Sequence, residues 1–333
     1  MAPPSISVIL PVCNSEATIA EAVDSILGQT CAAFELIIVD DGSSDDTQHI
    51  VERYASRDER VRLVAQKHAG IIAALQRGCA LALGQFIARM DADDIAEPTR
   101  LERQRSFMES APHLALCGAQ VTMFGETVGE GRRRYELWLN RLTTPDAVMR
   151  ERFIECPVAH PAFFFRREWY DRVGGYQDQG WPEDYDLVLR TIEARGEVTN
   201  VSEPLIRWRE RPDRHSMTHP RYSLKQFRAC KRHYLKRSVL NNDAPFYQWG
   251  AGEVGKAWLR EWDEAAPVVA VDIHPRKIGK RIHRVPIIPP DQLPRAGECV
   301  ILVAVGAPGA RSNIREWLEP RGYQEGRDFW FIA

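Results

Sequence analysis

The chain has 333 residues, of which 44% are hydrophobic, 9% aromatic and 27% charged. That is the balance of a folded globular protein rather than a disordered one, at a length that suits two domains. Forty-four Lys and Arg against 46 Asp and Glu leave a formal charge of −2, which argues against a surface built throughout to coat nucleic acid or anionic membrane. No apolar run approaches the ~20 residues of a membrane span, and Met-Ala-Pro-Pro-Ser at the start lacks the basic-then-apolar pattern of a leader, so a cytoplasmic protein is expected. Seven cysteines without a C-x-x-C pair read as reduced thiols, not as a disulfide framework or zinc site.

Ser5 to Val12 is the short apolar run of a strand buried on both faces, with Pro11 near its end where a ladder donor can be spared. Ile19, Val23, Ile26 and Leu27 follow the spacing of a helix with one buried stripe, and Ser15 is a candidate cap. Strand then alternates with helix: Phe34 to Val39, Thr47 to Tyr54, Val61 to Ala65, Ile71 to Leu83, Phe86 to Met90. This predicts βαβ units and a doubly wound, mostly parallel α/β sheet with helices on both faces. Between Gly125 and Glu151 the alternation lapses into a basic, Gly-containing stretch read as a loop or lid, and Phe163 to Phe165 resumes as a buried strand.

From Arg207 to Arg237 eleven Lys or Arg face two acids, and Leu224, Phe227 and Tyr234 give the second half the look of a basic amphipathic helix. Such a helix is either a solvated face or a surface that attracts pyrophosphate or an anionic, lipid-linked acceptor, with peripheral contact at the inner face of a membrane. Asn241-Asn242-Asp243 reads as a polar boundary. Beyond it, Phe246 to Trp249 leads into Gly250-x-Gly252-x-x-Gly255, a helix, a strand Val268 to Val271, and Asp272 at 22 positions after Gly250. That is the layout of a dinucleotide-binding unit. Val300 to Val305 is a further strand, Ile314 to Leu318 lies in a last helix, and Pro286, Pro289, Pro290 and Pro294 mark an extended connection. The expected division is residues 1–216, a basic helical connector 217–243, and a smaller α/β domain 244–333.

Carboxylates collect at the carboxyl ends of the predicted parallel strands, where open α/β sheets bind ligands. Asp91 and Asp93 flank Ala92, so in extended geometry both lean into one cleft and can hold Mg²⁺ or Mn²⁺ with a diphosphate completing the shell; the alternative is that Asp91, Asp93 and Asp94 cap a helix beginning near Pro98. Asp40 to Asp45 is either turn and cap chemistry or a partner for the donors of a base and ribose. Glu183, Asp184 and Asp186 precede Leu187, Val188, Leu189 and Ile192 at a helix N-terminus, where they gain from the dipole; one of them, beside Trp181 and Pro182, could act as a general base.

Taken in order, Ser7-Val-Ile-Leu-Pro-Val-Cys-Asn14, Ser25-Ile-Leu-Gly-Gln-Thr30, Phe34-Glu-Leu-Ile-Ile-Val-Asp-Asp-Gly-Ser43, Met90-Asp-Ala-Asp-Asp94, Val173-Gly-Gly-Tyr176 and Glu183-Asp-Tyr-Asp-Leu187 resemble the motifs of family 2 inverting glycosyltransferases of the GT-A fold, over roughly residues 5 to 216. The resemblance implies transfer of a sugar from a nucleoside diphosphate, a UDP-sugar first, to a hydroxyl of a glycan or lipid-linked acceptor in bacterial cell-surface polysaccharide synthesis. Carried over residue by residue, it places Pro11, Asn14 and Asp40 at the donor, with Asp40 on the nucleobase. Asp91 falls on the ribose or a metal-bound water, Asp93 on the metal, and Asp184 becomes the base. Gly174, Gly175, Tyr176 and Glu183 go to the acceptor side. Two departures stand out: Cys13 replaces a frequent aromatic, and the late metal-proximal His falls near Arg211, with His215 four residues on as the candidate substitute. His160-Pro161 is a further recurrent feature, which a structural role explains as well as a catalytic one.

The C-terminal glycines resemble the Rossmann-like module that follows some bacterial sugar transferases. Gly250, Gly252, Gly255 and Asp272 make NAD a candidate ligand there, but no Tyr-x-x-x-Lys set follows, so docking or sensing competes with cofactor binding. Three rivals to sugar transfer are a nicotinamide-dependent oxidoreductase, a nucleotidyltransferase, which would carry a Gly-rich loop where Pro11-Val-Cys-Asn14 stands, and a catalytically silent binding module.

Overall fold

The computed structural model describes residues 4–212, 214–240, 245–262 and 266–333. It divides into two compact units, Met1–Val148 with Pro157–Ser223, and Met149–Cys156 with Leu224–Ala333. The polar boundary at Asn241-Asn242-Asp243 lies outside the described residues.

In the first unit the alternation of strand and helix runs β1 (Ile6–Val12), α1 (Ile19–Leu27), β2 (Phe34–Asp41), α2 (Thr47–Ala55), β3 (Val61–Gln66), α3 (Ile71–Leu81) and β4 (Phe86–Arg89). Next come β5 (Ile95–Ala96), α4 (Arg100–Ser110), β6 (Leu114–Phe124), α5 (Glu130–Leu139) and α6 (Pro145–Glu151). The rest is β7 (Phe164–Arg166), α7 (Arg167–Arg172), α8 (Glu183–Glu193), β8 (Glu197–Arg209) and the single turn α9 (His215–Thr218). One eight-stranded sheet results, in the order β3-β2-β1-β4-β7-β6-β8-β5. Its β3-β2-β1-β4 half and the β6-β8 pair are parallel, whereas β7 is antiparallel to both neighbours and β5 to β8.

Every residue of β1 is buried because β2 and β4 pair on its two sides, Ile6↔Phe34 through Val12↔Asp40 and Ile6↔Phe86 through Ile9↔Arg89. An unbroken apolar run is what such a central parallel strand demands. Pro11 lies beyond the last β4 pair, so its missing N–H costs no bond on that side.

The second unit contains α10 (Leu224–Ser238), β9 (Phe246–Trp249), α11 (Glu253–Glu261), β10 (Val269–Val271), β11 (Arg281–Ile282), β12 (Val285–Ile288), β13 (Val300–Val303), α12 (Ala310–Leu318) and β14 (Phe329–Phe331). Its sheet, β11-β12-β10-β9-β13-β14, is parallel except at the β11-β12 hairpin. Ala251, Leu259, Ala270, Val285 and Ile287 form a small core there.

Several local expectations are corrected. The stretch from Gly125 to Glu151 holds α5 and α6 rather than an open loop; α5 buries only Leu139 fully and leans Tyr135 and Trp138 on the core, too sparse a stripe to betray a helix. Ser15 does not cap α1 with its hydroxyl, which bonds the Cys13 carbonyl; instead its own carbonyl accepts from Thr18 and Ile19 N–H. The basic run begins inside β8, and α10, grouped with the second unit, buries Cys230, Lys231, Tyr234 and Leu235 while Leu224 stays exposed. The proline-marked connection contains β12 and a 3-10 turn at Pro290–Gln292. Among the described residues, no helix is long and apolar enough to cross a membrane.

Candidate active site

The carboxyl ends of β1 and β2 carry two loops stitched together by short polar side chains. Asn14, at φ +50°, accepts the Ser44 N–H on its side-chain oxygen at 2.8 Å and donates its own N–H to Ser43 Oγ at 2.9 Å. Ser15 N–H bonds Thr47 Oγ1 at 2.8 Å, and Glu16 accepts the Asp46 N–H at 2.9 Å. Asp40, buried at the end of β2, accepts from both the N–H and the hydroxyl of Ser43. Its neighbour Asp41 fastens the next loop, taking the Ala69 and Gly70 N–H groups at 2.8 Å each and the Gln66 amide at 2.7 Å. From the residues alone, Asp40 to Asp45 carried one reading, and the resemblance singled out Asp40; the structure shows Asp41 spent on fastening the loop of Ala69 and Gly70.

Beyond β4, Asp91, Asp93 and Asp94 bring one carboxylate oxygen each to within 4.8 Å of one another. They do not cap α4, which starts at Arg100 after Thr99. Burial and the charge of Asp91 hold the Asp93 carboxyl above its ordinary range, and burial with Asp91 and Asp93 lifts Asp94 further. Asp94 accepts the Arg209 N–H at 2.7 Å on one oxygen, while its other oxygen is buried with no hydrogen-bond partner among the described residues. Three crowded oxygen donors, one of them orphaned, fit a hard divalent cation such as Mg²⁺ or Mn²⁺. His215 opens α9, and its side chain lies outside the described residues.

Arg89 was missed in the sequence, although a cation inside the apolar strand Phe86-Ile-Ala-Arg89 beside an acidic cluster was a readable signal. Its side chain is 4% exposed and pairs with Asp91. Burial alone would lower its pKa, but the Asp91 carboxylate outweighs that and raises it. The same charge acts on His160, Tyr176, Glu183 and Tyr222. Arg89 is therefore the electrostatic link between the acidic cluster and the groups at the start of α8.

On that side the three acids of the α8 N-terminus separate cleanly. Asp186 is buried, paired with Arg190 at 2.5 Å and bonded by Trp181 Nε1 at 2.9 Å. Glu183 is fully buried, its pKa raised by that burial, and accepts from Tyr222 Oη on both oxygens at 2.8 and 2.9 Å. Asp184 is the partly exposed one, and it accepts the following Tyr185 N–H at 2.7 Å. Gly174 and Gly175 turn at φ +79° and +58°; a Cβ on Gly175 would come within 2.7 Å of the Tyr170 ring. Tyr176, itself buried, bonds His160 Nε2 at 2.8 Å through its hydroxyl. Burial keeps the His160 imidazole well below its ordinary pKa and so neutral at pH 7.

Comparison with known proteins now decides the class. Residues 7–174 match the model of glycosyl transferase family 2. The chain belongs to this family. It is 32% identical over 238 residues to EpsE of Bacillus subtilis (strain 168), assigned as a glycosyltransferase, across 69% of this chain and 83% of that one. It is also 32% identical over 210 residues to the amylovoran biosynthesis glycosyltransferase AmsE of Erwinia amylovora, across 62% and 77%. Among solved structures it is similar to S. aureus TarS 1-349 in complex with UDP-GlcNAc, with TM-score 0.57, 20% identity and coverage of 71% and 67%, a likeness of fold.

The family 2 glycosyltransferase carries its glycine fingerprint in the second unit. Gly250 has φ +109°, and a Cβ on Gly255 would lie 2.0 Å from the Gly250 carbonyl, so both are required for the tight loop. Asp272 accepts Ala251 N–H at 3.0 Å and Lys277 Nζ at 2.9 Å on one oxygen, and His274 N–H at 2.8 Å on the other. These bonds outweigh burial and lower its pKa. Asp272 thus ties the end of β10 to the glycine loop, and both its oxygens are engaged within its own unit. The basic helix α10 is likewise partly spent inside that unit: Arg228 pairs with Glu261 at 2.7 Å, and buried Lys231 donates to the Ile154 and Ile332 carbonyls at 2.6 and 3.2 Å.

Proposed function

We propose that this glycosyltransferase moves a sugar, with inversion, from a nucleoside diphosphate sugar to a hydroxyl of a glycan or lipid-linked acceptor in cell-surface polysaccharide assembly. The observation that supports the reading is the separation of the α8 acids: Asp186 is paired with Arg190 and Glu183 is buried under Tyr222, whereas Asp184 is partly exposed, which favours it as the base for an incoming hydroxyl. The relatives' names support the polysaccharide setting, since AmsE is named for amylovoran biosynthesis. TarS was solved with UDP-GlcNAc, which makes UDP the first donor nucleotide to try.

In this reading Asp40, with Pro11 and Asn14, shapes the nucleobase pocket, Asp91 meets the ribose, and Asp93, with Asp91 and Asp94 beside it, holds the cation. A bound divalent cation would supply charge neutralisation for the departing diphosphate. Asp184 takes the proton of the acceptor hydroxyl as that oxygen attacks the anomeric carbon from the face opposite the diphosphate, which is why the configuration inverts. Gly174, Gly175, Tyr176 and Glu183 keep the base's surroundings rigid from the acceptor side. NAD has no part in this chemistry, and the glycine loop of the second unit stands outside it.

The test is a panel of UDP- and GDP-sugars, scored for release of nucleoside diphosphate with and without Mn²⁺, with the anomeric configuration of any product read by NMR. A retained configuration would overturn inversion, and release unaffected by chelator would overturn the cation.

A further inference from the structure

The second unit carries a concentration of charge that sugar transfer leaves unused. The chain as a whole has a formal charge of −2, yet from Ile273 to Pro290 it holds no acid and five cations, Arg276, Lys277, Lys280, Arg281 and Arg284, with His274 and His283 among them. Lys277 is neutralised by Asp272 at 2.9 Å. The other four are exposed, and among the described residues no carboxylate is bonded to them. Cations gathered this closely repel one another, so the cluster is at odds with its own fold until an anion meets it.

The backbone gives the cluster a shape. Gly279 N–H bonds the Ile287 carbonyl and Ile287 N–H the Lys280 carbonyl, both at 2.9 Å, so β12 runs beside the basic segment. Ile278, Pro286 and Pro289 contribute an apolar lining to a cavity of about 420 Å³ there, and Lys280 and Arg281 line it too. Arg281 Nη1 also donates to the Arg284 carbonyl at 3.2 Å, tying the cavity wall to the tip of the hairpin. That tip is built against its own preference. His283 and Arg284, the two residues between the Ile282↔Val285 pair, have φ +46° and +70°, the left-handed conformation that Asn-Gly would fill at least cost. Strain of this kind is kept where a segment serves a ligand.

We propose that the β11-β12 hairpin is a phosphate-binding site: Lys280 and Arg281 engage the phosphate of a ligand whose apolar part rests on Ile278, Pro286 and Pro289, and Arg284 adds charge from the tip. A guanidinium fork beside an ammonium point charge suits a dianionic phosphate better than a single carboxylate. Soluble phosphate esters and lipid head groups present the same chemistry.

The test uses the full chain in chelator, so that the cation-dependent donor site proposed above stays unloaded and its failure would leave this result intact. Pyrophosphate is titrated calorimetrically, and flotation is measured with phosphatidylcholine vesicles with and without phosphatidylglycerol. Binding of pyrophosphate points to a soluble ligand, and binding only of the phosphatidylglycerol vesicles to a lipid head group; binding of neither overturns the site. Lys280→Gln with Arg281→Gln should weaken the binding by about tenfold or more at an unchanged melting temperature. If that pair melts early, Lys280→Gln alone should still weaken it by about threefold. Arg260→Gln with Arg295→Gln, two exposed arginines elsewhere in the unit, should leave it within about twofold. His283→Asn with Arg284→Gly should raise the melting temperature yet weaken the binding, because it supplies the preferred turn and removes a cation. Undiminished binding in the hairpin variants, an equal loss in the Arg260 and Arg295 pair, or competition by acetate at matched ionic strength overturns the proposal.

Discussion

Replacing Asp184 by Asn separates proton transfer from folding and from donor binding, because Asn keeps the size of the side chain and an oxygen that accepts a hydrogen bond. It is partly exposed, and the Tyr185 N–H it accepts at 2.7 Å can be accepted equally by an Asn side-chain oxygen. What Asn cannot do is take a proton. Positioned general bases contribute roughly 10²–10⁴-fold, equivalent to ~2.7–5.5 kcal/mol of barrier, so kcat should fall by that factor with KM for the donor near wild type. The melting temperature should stay within about a degree. Asp186→Asn supplies the contrast. It loosens a pair of which Asp186 is 1% and Arg190 15% exposed, and breaking such a buried pair costs about 3 kcal/mol or more, a fall in Tm of roughly 6–12 °C for a unit of this size. The assay is initial-rate release of nucleoside diphosphate from the best donor, alongside a melting curve for each variant. Full turnover in Asp184→Asn, or a rate loss matched by an equal loss of stability, would refute the assignment of the base.

Three further outcomes are expected. UDP at ~100 times its dissociation constant should stabilise the protein by ~2.7 kcal/mol in a melting scan, only with Mg²⁺ or Mn²⁺ present, and the shift should largely vanish in Asp93→Ala. Because burial and two neighbouring carboxylates raise the Asp94 pKa, its contribution to metal-free stability is present below the unfolded value and lost as pH rises through the folded one. Asp94→Asn should therefore flatten that alkaline-side loss in metal-free melting curves, whereas an unaltered pH profile would mean Asp94 is not the group responsible. Arg315 bonds Glu325 and Glu151 at 2.7–3.0 Å within the second unit, so Arg315→Ala should lower Tm by a few degrees through that unit while leaving UDP affinity unchanged.

The parts of the fold that were readable in the sequence are those where one physical demand dominates. β1 and β2 lie inside a parallel sheet and must be apolar on both faces, so Ile6–Val12 and Phe34–Asp41 announce themselves, and the periodic stripe of α1 does the same. Elements with divided demands stayed hidden. β6 and β8 run 11 and 13 residues with mixed burial and register shifts between them, so neither alternation nor a continuous run is visible. α5 shows its arginines to solvent and rests two aromatics on the core, which in sequence is indistinguishable from a basic loop. The three-residue β14 becomes a strand only because β13 offers it an edge, Ile301↔Phe329 through Val303↔Phe331.

The candidate site divides along the same line. Acids at strand ends are conspicuous because a carboxylate following a buried apolar run has no packing reason to be there, and that logic singled out Asp40, Asp91 and Asp93, whereas Asp184, at a helix start, was singled out by the family resemblance. It could not rank equivalent acids, since Glu183, Asp184 and Asp186 differ in fate only through partners 39, 1 and 4 residues away. Nor could it find groups whose role is to set another group's charge. Arg89 reads as one residue of a strand until the fold buries it and pairs it with Asp91. Tyr222 reads as part of a basic tail until its hydroxyl closes on Glu183. In an α/β fold of this kind, sequence makes the acids at strand ends and helix starts visible, while the tertiary fold supplies the partners that decide which of them is buried and which is exposed.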